Sequence, residues 1–360
     1  MKGQKVVSFI LFILTVVWLF PATFVNASDR LPSGLNASST YDVISLTKLT
    51  YSKAGSRCIM DMYIPKNKSG ECGLILYIHG GAWTSNSKSD YTQTAHDDCS
   101  KYGVATIAIN YRYASESVDA FDILDDISAS LSKAKEVASQ YGLRLTKVML
   151  TGISAGAHLS MLYAYSRADS APIKPVCVFE YAGPTDLTNP KLLETSFGPE
   201  EMMKCLSYLS NTKITNKATQ RANAKALLKV SPVSYVTKNS APTVVCHGTR
   251  DTVVDYSEAE NIVAALKKAG ATYELITFNS NHATWKDTSS SAYAQTRFDY
   301  YVNTYLQPDN SQPSGGSSST FSSLLKWIAG WAKNPLTILL GYGIVLPIAL
   351  VTSPIWIWFS

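Results

Sequence analysis

Ser154 lies in Gly152-Ile153-Ser154-Ala155-Gly156, a G-x-S-x-G pattern between the apolar run Lys147–Thr151 and a helix-forming stretch that begins at Ala155. A sharp strand-to-helix turn needs small residues on either side of the serine, because larger side chains would collide there. The turn presents the hydroxyl at a helix N-terminus, where the macrodipole favours developing negative charge. A serine hydroxyl is a weak nucleophile at neutral pH, so it needs an imidazole as base and a carboxylate to orient that imidazole. The chemistry predicted is acyl transfer.

The chain has five histidines, and the order expected for this arrangement is Ser, then Asp or Glu, then His. His79 belongs to a glycine turn, His96 precedes the serine, His158 follows it by one turn of the same helix, and His247 ends an apolar run. His282, just beyond the run Tyr273–Phe278, is the expected base. Asp251, a short loop beyond Thr243–Cys246, is the expected carboxylate, with Asp255 as the fallback. An oxyanion intermediate also requires preorganised donors. The stretch Tyr77-Ile78-His79-Gly80-Gly81-Ala82-Trp83 ends an apolar run in bare backbone. Gly80 and Gly81 therefore join the N–H of Ala155 as the expected oxyanion hole, the role of an HGGG-type loop.

These positions need a frame. Apolar runs at Val43–Leu49, Cys58–Ile64, Leu74–Ile78, Val104–Asn110, Lys147–Thr151, Val176–Tyr181, Thr243–Cys246 and Tyr273–Phe278 read as strands. Helical stretches fall between the later ones, at Phe121–Tyr141, Ala155–Ser166, Ser257–Ala269 and Ser291–Tyr305. This alternation predicts an α/β fold, a mostly parallel sheet with helices on both faces, whose first two strands form an antiparallel edge. Ligands in such sheets bind beyond the carboxyl ends of the strands, where all the candidate residues lie. Residues 187–230 break the alternation with mixed-charge helical sequence and read as a small helical cap.

The segments "YIHGGAW", "INYRYA", "GISAGAHL", "YAGPTDL", "SPVSYV", "PTVVCHGTRDTVV" and "NHATW" together resemble the α/β-hydrolase superfamily. Within it the chain is similar to small esterases related to hormone-sensitive lipase and to the feruloyl and acetyl-xylan esterase-like (BD-FAE-like) group. The likeness covers about residues 42–306. It implies an α/β-hydrolase fold and hydrolysis of carboxylic esters through an acyl-enzyme on Ser154, with His282 as base and then acid and with no metal or organic cofactor. A small ester or an acylated polysaccharide would be the substrate. Two positions depart from the pattern: Ala82 stands where a third glycine is common, and Asp255 where a proline often follows Val253-Val254. Peptide or arylformamide hydrolysis on the same fold is the alternative chemistry. A catalytically silent binding protein is the alternative of another class.

The ends of the 360-residue chain carry different signals. Lys2 and Lys5, the apolar run Val6–Phe20 and the small residues before Ser28 read as a signal peptide over 1–27. The catalytic domain then spans 28–307, followed by a Ser/Gly/Pro-rich linker at 308–320 and an amphipathic interfacial helix at 321–333. Residues 334–360 contain no charge, and Leu336 to Phe359 is long enough to cross a bilayer. These features predict an exported protein at the extracytoplasmic face of a membrane, anchored by its C-terminal segment, with a GPI signal as the rival reading. Of six cysteines, Cys177 and Cys246 sit in apolar runs, leaving Cys58, Cys72, Cys99 and Cys205 as candidates for one or two disulfides. Their spacing suits no zinc site. A formal charge of +5 with no basic block gives no support to nucleic-acid binding.

Overall fold

The structure, a computed structural model, describes residues 41–282 and 288–308. Eight strands form one sheet in the order β1-β2-β4-β3-β5-β6-β7-β8. They are β1 Val43–Thr50, β2 Ile59–Pro65, β3 Gly70–Ile78, β4 Ala105–Ile109, β5 Leu143–Ile153, β6 Lys174–Tyr181, β7 Thr243–Gly248 and β8 Tyr273–Phe278. β2 pairs antiparallel with both β1 and β4, and every later pairing is parallel. This is the mostly parallel sheet with an antiparallel edge that the alternation predicts, and it agrees with the α/β-hydrolase fold that the resemblance implies.

Parallel strands covered on both faces must be apolar on both faces. All five residues of β4 are buried, as are Cys72 to Ile78 of β3. On one face pack α2 Ala120–Gln140, α3 Ala155–Ser166 and α7 Ser257–Ala269, through residues such as Ile127, Leu159 and Ile262. On the other pack α1 Thr92–Tyr102 and α8 Thr288–Tyr301, through Cys99, Tyr102 and Phe298. The start of α2 is set by a capping box: Asp119 accepts from the N–H groups of Phe121 and Asp122, and Asp122 accepts from that of Asp119. Between β6 and β7 the chain forms α4 Pro199–Ser210, α5 Lys217–Ala222 and α6 Ala224–Lys229.

The registers decide where the loops emerge. Ile78 pairs with Gly152, Ile153 with Tyr181, Tyr181 with Cys246 and Gly248 with Phe278. Segments 79–83, 154–155, 249–255 and 279–282 therefore leave the sheet at one edge. β5 runs four residues earlier than its apolar core suggests. Its first turn of sequence is held by polar pairing with β3, where Arg144 Nη2 and Thr146 Oγ1 donate to Glu71 at 3.1 and 2.8 Å.

Two expectations are corrected. All six cysteines are buried free thiols, so the expected one or two disulfides are not formed. The membrane-anchored, extracytoplasmic location is not upheld either: among the described residues no helix is long and apolar enough to cross a membrane. The longest, α2, carries Asp122, Asp125, Lys133, Lys135 and Glu136 along its length. The segments read as signal peptide, interfacial helix and C-terminal anchor, with nearly all of the linker, lie outside the described residues.

Glu180, in β6, is fully buried; its Oε2 accepts from Gly183 N–H at 2.9 Å, and Oε1 has no partner among the described residues. Burial pushes its carboxyl up to about 8, partly offset by the Gly183 N–H. The folded chain thus keeps a proton that the unfolded chain loses from the ordinary carboxylate range upward, so stability falls as pH rises through that window. Urea unfolding should show Glu180→Gln gaining on the parent as pH rises from mildly acidic to mildly alkaline, at up to about 1.4 kcal/mol per pH unit. A constant difference between the two across that range would refute the assignment.

Candidate active site

Ser154 occupies the turn between β5 and α3 with φ 55° and ψ −121°, a backbone region that residues with a side chain rarely adopt. Its N–H donates to Tyr181 O at 2.8 Å and its carbonyl accepts from His158 N–H at 3.0 Å, so both flanking elements hold the turn. Position 156 must be glycine because a Cβ there would lie 2.0 Å from the Ile78 carbonyl oxygen. Ala155 is the first residue of α3, so its N–H has no intrahelical partner and points out of the helix end.

The loop after β3 approaches the same point: a Cβ on Gly80 would sit 3.5 Å from that of Ser154. Gly81, Ala82 and Trp83 have φ of 99°, 49° and 61°. The Gly81 carbonyl accepts from Thr84 N–H, Ser85 N–H and Ser85 Oγ at 2.8–3.0 Å, which turns it away from the serine. The N–H groups of Gly81 and Ala82 meet no acceptor among the described residues.

His79 supports this loop from below. Arg57 Nη2, which can only donate, lies 3.3 Å from His79 Nε2, so Nδ1 carries the proton that binds Gly80 O at 2.7 Å. Burial, opposed by the Gly80 bond and reinforced by Arg57, lowers His79 to about 4, leaving the ring neutral. Tyr111 stacks on the ring at 4.3 Å and donates to His79 O at 3.1 Å. Holding the Gly80 carbonyl fixes the peptide plane whose other end is the Gly81 N–H. The sequence singled out "INYRYA" but not this use of Tyr111, and Arg57 carries no local signal at all.

On the far side of the site, His282 Nδ1 donates to Asp251 Oδ2 at 2.7 Å. Asp251 Oδ1 accepts from the N–H groups of Val253 and Val254 at 2.8 and 2.9 Å. Its side chain is wholly buried, whereas that of His282 is 16% exposed. Asn281 Oδ1 accepts from His282 N–H and Thr252 N–H at 2.7 and 2.9 Å, tying the two loops together. Asp255, the fallback acid, instead binds Lys191 Nζ at 2.9 Å and caps Ser257 N–H.

The remaining interior histidines have structural partners. His158 Nδ1 accepts from Trp83 Nε1 at 3.1 Å and its Nε2 donates to Val230 O at 2.8 Å; burial lowers it to about 4. His247 Nε2 donates to Val254 O at 2.8 Å and lies 3.5 Å from Asp251 Oδ2. Burial lowers its basicity as well. Among the described residues no group of three His, Cys, Asp or Glu side chains is placed to hold a metal ion. The segment between β6 and β7 contacts both halves of the site: Cys205 Sγ lies 3.3 Å from Ala82 O, and Ser196 N–H donates to Thr252 O at 2.7 Å.

Esterase LipQ of Mycobacterium tuberculosis is 28% identical to this chain over 208 residues, 55% of this chain and 46% of LipQ. The chain spans about half the length of the curated relatives it matches. A truncated carbohydrate esterase from gut microbiota superposes with a TM-score of 0.60 at 22% identity, covering 74% of this chain and 98% of that one. Esterase B from Lactobacillus rhamnosis does so with a TM-score of 0.58 at 18% identity, covering 92% and 98%. Both share the fold. The BD-FAE family model matches residues 60–266, more than half of the chain, and the chain therefore belongs to the BD-FAE family.

Proposed function

We propose that this chain is a serine carboxylic-ester hydrolase acting on short acyl esters through an acyl-enzyme on Ser154. The observation that carries the reading is the 2.7 Å bond between His282 and buried Asp251, at the sheet edge where Ser154 stands in a strained turn. Ser154 Oγ attacks the ester carbonyl carbon while its proton passes to His282 Nε2. Asp251 keeps the ring in the tautomer that frees Nε2 and stabilises the imidazolium. The oxyanion is received by the N–H of Ala155 and by the Gly80-Gly81 turn, donors aimed in advance of the charge. His282 then gives its proton to the departing alkoxide, and water, activated by the same ring, releases the acid.

The name of LipQ supports ester hydrolysis, and that of the gut carbohydrate esterase supports an acylated sugar as the alcohol side. We infer the preference for short acyl groups from the position of α4, whose Cys205 Sγ lies 3.3 Å from Ala82 O, next to the Gly80-Gly81 turn. Acetylated xylo-oligosaccharides and p-nitrophenyl esters of rising chain length test both points. Acetate should be turned over faster than octanoate.

Ser154→Ala should lower kcat/KM for p-nitrophenyl acetate by about three orders of magnitude or more. Asp251→Asn should lower kcat by a comparable factor through the wrong tautomer. Parental rates in the Ser154 variant would end the proposal.

Arg57→Ala removes the donor that fixes the His79 tautomer without touching substrate. If His79 aims the Gly81 N–H, kcat should drop about tenfold to a hundredfold while KM changes little, since the donor matters most in the transition state. A raised KM at unchanged kcat would instead assign Arg57 to substrate binding.

A further inference from the structure

A cavity of about 440 Å³ lies between α1 and α8, under the carboxyl ends of β3, β5 and β6. It is on the face of the sheet opposite α3, and Ile153 forms part of its wall. Among the described residues five aromatic rings line it, Tyr77, Tyr91, Tyr181, Phe278 and Phe298, together with one carboxylate, Asp98. Tyr77 and Tyr91 stack obliquely with centroids 5.1 Å apart. No lysine or arginine is among the described residues that line it.

Such a lining discriminates by charge. The faces of aromatic rings carry negative potential and attract cations, most strongly where water is excluded. An anion would meet both that potential and Asp98. A neutral apolar molecule would gain from the rings but leave the carboxylate desolvated with no counter-charge. The Tyr77 hydroxyl donates to Asp98 Oδ2 and so fixes the carboxylate's orientation. The nearby Lys101 is engaged by Asp299 at 2.8 Å. Burial pushes Asp98 up to about 6, opposed by Tyr77 and Lys101 and reinforced by Asp299 and Asp97, a penalty that a cation in the cavity would offset.

We propose that this aromatic cavity is a binding site for an organic ammonium ion, held by the rings of Tyr77, Tyr91 and Tyr181 and by the carboxylate of Asp98. Its occupancy is read by binding alone, independently of the ester chemistry proposed above. Calorimetric titration of the full chain with choline, and with its uncharged carbon isostere 3,3-dimethylbutan-1-ol, tests it. Choline should bind saturably and about tenfold or more tighter than the isostere. Asp98→Asn should abolish that difference while leaving the isostere's binding unchanged, and Ser154→Ala should bind choline as the parent does. Should Asp98→Asn not fold, Tyr91→Leu replaces it, with a loss of choline affinity greater than of isostere affinity. Equal affinities for the two probes, absence of saturable choline binding, or a difference that survives in both variants would overturn the proposal.

Discussion

The approach of the Ile78 carbonyl to the turn at Gly152 and Gly156 is the constraint on which the rest of the site depends. A side chain at either glycine would strike that oxygen, with Cβ distances of 2.5 and 2.0 Å. Because the β3 end and the β5–α3 turn touch without side chains between them, the loop after β3 is delivered against Ser154. The nine-residue parallel ladder between β3 and β5 sets this register. Strain at Ser154, with φ 55°, is then sustained by the surrounding sheet, as strained functional turns generally are.

Charge is handled in a consistent way around this contact. His79 and His158 are buried, neutral and bonded through both ring nitrogens, so each acts as a rigid link between backbone segments. His282 alone among the histidines at this edge combines partial exposure with a carboxylate partner. The distinction is made by burial and partner, since the five imidazoles are chemically the same. Arg57 and Tyr111 extend the same logic outward, holding the ring that holds the Gly80 carbonyl.

Much of the frame is legible in the sequence, and the reasons are specific. Ala155–Ser166 and Ser257–Ala269 are read to the residue, because one begins at a glycine-flanked turn and the other ends at Gly270 in the left-handed region. Tyr273–Phe278 is likewise a compact apolar run bounded by turn residues. The first residues of β5 are missed because their stability comes from Glu71, far away along the chain. The cysteines are misread for a similar reason. Spacing says nothing of position in the fold, and Cys72 and Cys99 are interior free thiols. Arg57 is invisible for the same cause: its partners His79, Asn86 and Tyr111 meet it only in the fold.

The insertion between β6 and β7 joins the two halves of the site mechanically. Cys205 of α4 contacts the loop at Ala82, while Thr195 Oγ1 and Ser196 N–H bind the carbonyls of Val253 and Thr252, next to Asp251. Its root is held by Glu258 of α7, which is fully buried and accepts from the N–H groups of Thr185 and Asp186 at 2.6 and 2.8 Å. Asn189 Nδ2 donates to the other carboxylate oxygen at 2.6 Å. A buried carboxylate saturated in this way resists displacement, since breaking it would strand several polar groups away from water. The segment is therefore anchored at its base while it touches the loop at Ala82 and the loop at Asp251 at its far side. Displacing the segment would disturb the loops at Ala82 and Asp251 together, because one anchored piece of chain contacts both.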